Sequence, residues 1–377
     1  MPPTTPSTRR MALLLAGLAM FGPFSIDTIF PAFSQLGRSL AVDQVAIQQT
    51  ISVYLLAYGL MSIAHGPLSD AWGRKRVILG GLALFIAGSI GCALSQDLPT
   101  LLAFRALQGL SAGVGMIVGR AVIRDLFHGP DAQRLMSQVS MIFGIAPAIA
   151  PIIGGWILLS GGGWPLIFWF LVVFGLVLLI ATLTWLPETH PVEARTPLQF
   201  RRLLHDYVRI GFNPRFQRLA AAGSFNFAGI FLYIASAPVL IMQHLKLGEG
   251  DFAWLFIPTI GGMTLGSFLS GRMAGRMQPV RQIRIGFICC GAAALDMYPQ
   301  QRGLASSLQA FTQLMTNTVV AGVLSPLLSE HPRHLAIGMT GFFLLGWLFW
   351  RWERRSGRRL RHRQATEAVP LEPADHL

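Results

Sequence analysis

The chain reads as an all-α, polytopic membrane protein built from two helical bundles, and three observations carry that reading. More than half of the 377 residues are hydrophobic and only 12% are charged; mean hydropathy is +0.53, a balance typical of membrane spans and foreign to soluble enzymes. Long stretches lack charge: Met11 to Gly37 holds only Asp27, and Leu135 to Pro187 holds none. The basic residues also fall in alternate loops. Of the 30 lysines and arginines, all but Arg38, Arg105, Lys246 and Arg333 lie in the same alternating set of loops and termini. By the positive-inside rule this predicts a multi-pass inner-membrane protein with both termini in the cytoplasm. The net charge of +13 is then a record of topology, and no nucleic-acid partner is expected.

A helix crosses a bilayer core with about 20 apolar residues. Spans are therefore predicted near 12–33, 45–65, 77–96, 99–119, 135–159, 164–186, 219–243, 252–271, 303–329 and 335–350. The first is too long for a signal segment and lacks a small-residue cleavage site, so it is read as a true span. The second and third are joined by Gly66-Pro-Leu-Ser-Asp-Ala-Trp-Gly-Arg-Lys-Arg76, where the chain is expected to turn at Gly66 and Gly73 and to re-enter past three consecutive cations. Only Ser160-Gly-Gly-Gly-Trp-Pro165 separates the fifth span from the sixth. The longest polar interruption, Glu188 to Arg218, contains Leu198 to Val208, which alternates faces like an amphipathic helix lying on the inner leaflet.

That interruption divides the chain into a six-helix bundle (1–187), a cytoplasmic linker (188–218), a second bundle (219–350) and a basic cytoplasmic tail (351–377). The second bundle is short. Between Arg284 and Arg302 only Ile285 to Leu295 is apolar, a stretch that rises about 16 Å as a helix, half of a bilayer core. A crossing there would also put the arginine-rich tail on the wrong side. Ten spans are thus expected, with a gap near 285–301. After the eighth span, Gly266-Ser-Phe-Leu-Ser-Gly-Arg-Met-Ala-Gly-Arg276 weakly echoes the Gly66–Arg76 loop and suggests an internal repeat.

The pattern of that loop resembles the signature between the second and third helices of major facilitator superfamily transporters. Within the superfamily the chain is most similar to the Bcr/CflA, bicyclomycin-resistance-type drug/proton antiporters. Gly22-Pro-Phe-Ser-Ile-Asp-Thr-Ile-Phe-Pro31 resembles their first-helix motif, with Ile29 in place of the usual tyrosine. Arg105-Ala-Leu-Gln-Gly109, Arg120-Ala-Val-Ile-Arg-Asp-Leu-Phe127 and Gly144-Ile-Ala-Pro-Ala-Ile-Ala-Pro-Ile-Ile-Gly-Gly155 resemble the fourth-helix and fifth-helix motifs. Tyr233 to Pro238 and Arg302 to Gln309 fit in the second half. The resemblance implies a twelve-span two-bundle fold, of which this chain lacks about two helices. It also implies proton-coupled export of small amphipathic compounds by alternating access. Ala71 departs from it, standing where a basic residue is usual.

Each motif also has a physical reading of its own. A carboxylate at membrane depth is costly, so Asp27 is expected to be paired, protonated or facing water; proton coupling is its leading role, with a plain salt bridge or a wet vestibule as the alternatives. Arg105 lies six residues inside the fourth span, as Asp27 does from the outer end of the first, placing both about 9 Å below the outer surface. They can pair or share water if their helices neighbour; otherwise Arg105 snorkels outward. Gln108 lies one turn from Arg105 and is positioned to steady it or a proton path.

In the loop, Gly66, Asp70, Gly73, Arg74, Lys75 and Arg76 read as a conformational gate, with Asp70 capping a helix or pairing with Arg74, Arg120 or Arg124. Gly144, Pro147, Pro151, Gly154 and Gly155 supply kinks and close packing in the fifth span, as do Gly109, Gly113, Gly115 and Gly119 in the fourth. Gln309, Gln313 and Asn317 recur every four residues on one helical face; interhelical hydrogen bonding and substrate contact fit them equally. Tyr54, Tyr58, Asn226 and Tyr233 are further cavity candidates, and His65 reads as interfacial.

No metal-ligand spacing, phosphate loop or nucleophile elbow occurs, so no enzyme activity, cofactor or metal is expected, and Cys92, Cys289 and Cys290 read as small hydrophobes. The expected partners are a small-molecule substrate, protons and membrane lipids, handled by a monomer. Alternatives are an exporter of one metabolite, such as a nucleoside or amino-acid derivative, and a transport-incompetent chain that has lost two helices.

Overall fold

A computed structural model describes residues 8–246 apart from 128 and 196, residues 302–367 apart from 330, and the isolated positions 257 and 261. All regular structure among them is helical. Eight stretches are long and apolar enough to cross a membrane: Arg9–Leu40, Gln44–Trp72, Arg74–Leu94, Leu98–Leu126, Gly163–Trp185, Pro214–His244, Leu308–Leu328 and Pro332–Trp352. These coincide with the first four, the sixth, the seventh and the last two predicted spans. The fifth falls in helix Gly129–Leu159, whose Ile145–Leu159 portion is apolar. The eighth predicted span (252–271), the repeat echo at Gly266–Arg276 and the predicted gap at 285–301 lie outside the described residues, as do Cys289 and Cys290.

The first span is broken where a single helix was expected. Helix α1 (Thr8–Asp27) ends at the carboxylate, a short 3-10 turn (Phe30–Ala32) follows, and α2 (Phe33–Leu40) resumes. Pro31 is the cause: it has no N–H to give the Asp27 carbonyl four residues earlier. The Thr28 hydroxyl donates back to Phe24 O at 2.6 Å, closing the last turn.

The second span, α3 (Gln44–Trp72), starts at an Asp43 cap whose side chain accepts from Ala46 N at 2.7 Å. It continues through Gly66 and Pro67 to Trp72, so Gly66 is no turn. Pro67 leaves the Ile63 carbonyl without its helical donor, and the Tyr207 hydroxyl takes that place at 2.6 Å. The chain reverses at Gly73 alone, with φ of +98°.

Helices α4 (Arg74–Leu94), α5 (Leu98–Gly113), α6 (Gly119–Leu126), α7 (Gly129–Leu159) and α8 (Gly163–Trp185) complete the first half. Between α5 and α6 the fourth span passes through a π-helical segment, Val114–Val118. Helix α1 packs on α7 and α8, α3 on α5, and α4 on α5 and α8. Glycines set the closest approaches: a side chain at Gly109 would strike Tyr54 O, and one at Gly115 would strike Leu18 O. The packing reading of those glycines therefore fits the geometry.

The amphipathic linker helix is α9 (Phe200–Gly211). It is followed by α10 (Pro214–Val239), which continues as a π-helical segment (Leu240–His244). Helices α11 (Arg302–Val319), α12 (Ser325–Leu328) and α13 (Pro332–Glu367) follow the undescribed stretch. Helix α10 packs on α11 and α13, and α11 lies along α3. Small residues bring the last pair together, Gly59 against Leu314 and Met315, and just beyond α11, in the π-helical segment Val320–Leu324, Gly322 lies against Ser52. At the end of the molecule away from the Gly73 turn, Gln243 donates to Gln44, and the Ser34 hydroxyl meets Met242 Sδ at 3.3 Å.

Candidate functional site: a buried arginine network and a carboxylate at a helix break

Asp97 caps α5, its carboxylate accepting from Thr100 N at 2.8 Å, and this fixes the register that carries Arg105 and Gln108 inward. Arg105 is fully buried, so it does not snorkel. Its Nε donates to Thr50 O at 3.2 Å. Its Nη1 donates to Ser25 O at 2.9 Å, to Ser25 Oγ at 3.2 Å and to Gln108 Oε1 at 2.9 Å. The guanidinium carbon lies 4.6 Å from the centre of the Tyr54 ring, a cation–π distance. Gln108 then donates to Ser89 Oγ at 2.7 Å, and the Cys92 thiol approaches its Oε1 at 3.6 Å. Arg105 thus joins α1, α3 and α5, and Gln108 extends the network to α4. Arg105 Nη2 has no hydrogen-bond partner among the described residues.

Asp27 is 3% exposed and sits two residues beyond Ser25, at the C-terminal end of α1. No ion pair or hydrogen bond joins it to Arg105. The depth match is therefore not a salt bridge; carbonyls and a tyrosine ring hold the arginine while the carboxylate stands apart. Helix α7 shapes its surroundings. Gly154 lies so close to α1 that a side chain would strike Thr28 O and crowd Pro31. Pro151 and Gly155 are buried, Pro147 is half-buried, and Gly144 lies in the same helix.

At the Gly73 turn a second polar cluster forms. Arg74 Nη1 donates to the Asp70 carboxylate and to Ser69 Oγ, and Nε donates to Asp125 Oδ2 at 3.1 Å. Thr189 Oγ1 donates to the same Asp125 oxygen at 3.1 Å. Glu188 Oε1 accepts from Arg74 N at 2.8 Å, capping α4 where glycine offers no side chain. Its other oxygen is 3.9 Å from Arg195 Nη2. Lys75 Nζ donates to Leu183 O at 2.9 Å, whereas Arg76 is exposed and outside the cluster. Asp125 and Glu188 escaped the sequence reading. Asp125 stands inside the Arg120–Phe127 motif, and Glu188 is the first charge after the uncharged run from Leu135; both signals were present.

The remaining candidates are spread out. Tyr54 is fully buried beneath Arg105, its ring edge-on to Tyr58 with centroids 6.3 Å apart. Asn226 and Tyr233 are half-buried on α10, and Gln309 and Gln313 are half-buried on α11. Asn317 is 3% exposed, and its Oδ1 has no hydrogen-bond partner among the described residues. His65 is enclosed rather than interfacial, at 2% exposure, with Gly113 directly opposite.

The model of the Major Facilitator Superfamily matches residues 13–297. Among relatives, an uncharacterized MFS-type transporter, YdgK, of Bacillus subtilis is 32% identical, covering 76% of this chain and 71% of its own. Multidrug resistance protein D of Escherichia coli is 31% identical over the same shares. A bicyclomycin resistance protein homolog of Haemophilus influenzae is 26% identical, covering 74% and 70%. Among solved structures, the human organic anion transporter MFSD10 (TETRAN) superposes with a TM-score of 0.63 at 18% identity, covering 92% of this chain and 98% of that one; at that identity the likeness is one of fold. A helical, multi-pass chain that carries the signature loop on a cation–carboxylate cluster and matches this family over most of its length belongs to the Major Facilitator Superfamily of membrane transporters.

Proposed function

We propose that this chain is a proton-coupled exporter of small amphipathic compounds, working by alternating access in the inner membrane with both termini in the cytoplasm. One observation carries the mechanism: Asp27 is buried at a break in the first span, unpaired with the arginine network beside it. Such a carboxylate exchanges between a neutral, protonated form and a charged form that needs a counterion. A lipophilic cation entering from the cytoplasmic side supplies that counterion and displaces the proton. Arg105 acts as a positioning residue, holding α1 against α3 and α5 so that the break stays in place. The Asp70–Arg74–Asp125 cluster with Glu188 serves as the latch of the cytoplasmic face. Gln44–Gln243 and Ser34–Met242 are the matching contacts of the other face. Gln309, Gln313, Asn317, Asn226 and Tyr233 present polar groups from the second half, and substrate passes between the two bundles. Names of relatives that speak of multidrug and bicyclomycin resistance support drug-like substrates.

The test is uptake into inside-out vesicles bearing the purified chain. With an imposed inward-acid gradient, a fluorescent lipophilic cation should accumulate, and chemically unrelated drugs should compete. Accumulation that only a single metabolite class inhibits would replace the multidrug reading with that of a dedicated exporter. Absence of any gradient-driven movement by folded protein would overturn the proposal.

A further inference from the structure

Helix α9 presents two ridges that nothing in the transport scheme uses. Its inner face is occupied: Tyr207 donates to Ile63 O of α3 at 2.6 Å, Ile210 is fully buried, and Gly211 faces Leu308 of α11. On the outer face, Arg201, His205 and Arg209 recur every fourth residue and are all exposed. Beside them Leu204, Val208 and Phe212 recur at the same spacing and are 53%, 49% and 76% exposed. Residues i and i+4 stack along one side of a helix, so a basic ridge runs parallel to an apolar one. Arg201, Leu204, His205, Val208 and Arg209 together line a shallow open groove. Among the described residues no acidic side chain lines it.

The position of the helix decides what the ridges meet. Helix α9 lies between the end of α8 and the start of α10, two membrane spans, on the face that carries the Gly73 turn. It is therefore held at the level of lipid headgroups. Exposed leucine, valine and phenylalanine are costly in water but favourable in the headgroup–acyl boundary. The basic groups beside them are attracted to headgroups of net negative charge and gain little from a zwitterionic headgroup, whose phosphate is already neutralised.

We propose that the outer face of α9 is a docking site for anionic phospholipids, with Arg201, His205 and Arg209 binding the headgroup phosphates and Leu204, Val208 and Phe212 entering the boundary region. Because Tyr207 ties the same helix to the Ile63 carbonyl that Pro67 leaves free in α3, lipid occupancy braces the element that bears the latch.

Hydrogen–deuterium exchange on the full chain in nanodiscs tests this without relying on transport. Backbone amides of residues 200–212 should exchange at least about tenfold more slowly in phosphatidylcholine discs containing phosphatidylglycerol than in pure phosphatidylcholine, given about 1 kcal/mol of attraction per arginine at a charged surface. The Arg201→Gln/Arg209→Gln double variant, altered only at exposed side chains, should lose that difference while peptides from α4 and α5 keep their protection. Equal exchange in both lipids, or an unchanged difference in the double variant, would overturn the proposal. So would equal protection in pure phosphatidylcholine with added inorganic phosphate, which would make the ligand a free anion.

Discussion

Arg105 shows what a single residue must satisfy here. A guanidinium offers five donors in a fixed planar fork, and here its partners are two carbonyls, a hydroxyl and an amide oxygen on three helices, with Tyr54 beneath. Lysine keeps the charge but is a point donor. Arg105→Lys should therefore leave several buried acceptors unpaired and destabilise the protein by roughly 2 kcal/mol or more, read as a lowered midpoint of thermal unfolding in detergent; an unchanged midpoint would mean the network contributes nothing. Gly73 is constrained twice, by its φ of +98° and by Glu188, which a side chain there would strike. Alanine costs on the order of 1–3 kcal/mol at φ +98°, ψ +150°, a region open essentially to glycine alone, and about 1 more for the displaced cap. Gly73→Ala should impair transport more than expression, and Glu188→Gln should share the defect in milder form. At this scale the sequence was informative about charges: Asp27 and Arg105 stand out because ions are rare in apolar runs, and Asp70 and Arg74 because they belong to the Gly66–Arg76 pattern. It was silent about partners. Whether Arg105 met Asp27 or Ser25 depends on helix rotation, which a one-dimensional pattern does not contain.

The elements were legible to the extent that length and hydropathy define them. Apolar runs bounded by charges located each described span, and the alternating faces of 198–208 located α9. Two errors share one cause. The break at Asp27 and the continuity through Gly66 both turn on a proline, and proline can end a helix or be absorbed into one depending on who satisfies the freed carbonyl. At Pro67 the rescuer is Tyr207, more than a hundred residues away in the chain. The account makes that rescue measurable. Tyr207→Phe removes one hydroxyl and leaves the part-buried Ile63 O without its donor, so stability should fall by about 0.5–1.5 kcal/mol. Exchange of α9 amides should also rise, since the anchor to α3 is gone. Unchanged stability and exchange would show that α9 is held by Ile210 and its neighbours alone.

For the whole molecule, charge distribution spoke more clearly than any motif. Basic residues on alternate loops fixed the expected sidedness, and the all-helical fold and superfamily membership agree with what the spans and the signature loop implied. Packing between α3 and α11 was invisible beforehand, because Gly59 and Gly322 are unremarkable until their neighbours are known. The Arg74 cluster lies at one end of the molecule and the Gln44–Gln243 contact at the other. The central claim is that Asp27 carries the proton exchanged for substrate. It is tested most directly by drug-driven proton movement in proteoliposomes, comparing this chain with Asp27→Asn. The account predicts a change in internal pH when a lipophilic cation is added to the unaltered protein, and none with the folded variant. An equal pH change from both proteins would contradict it.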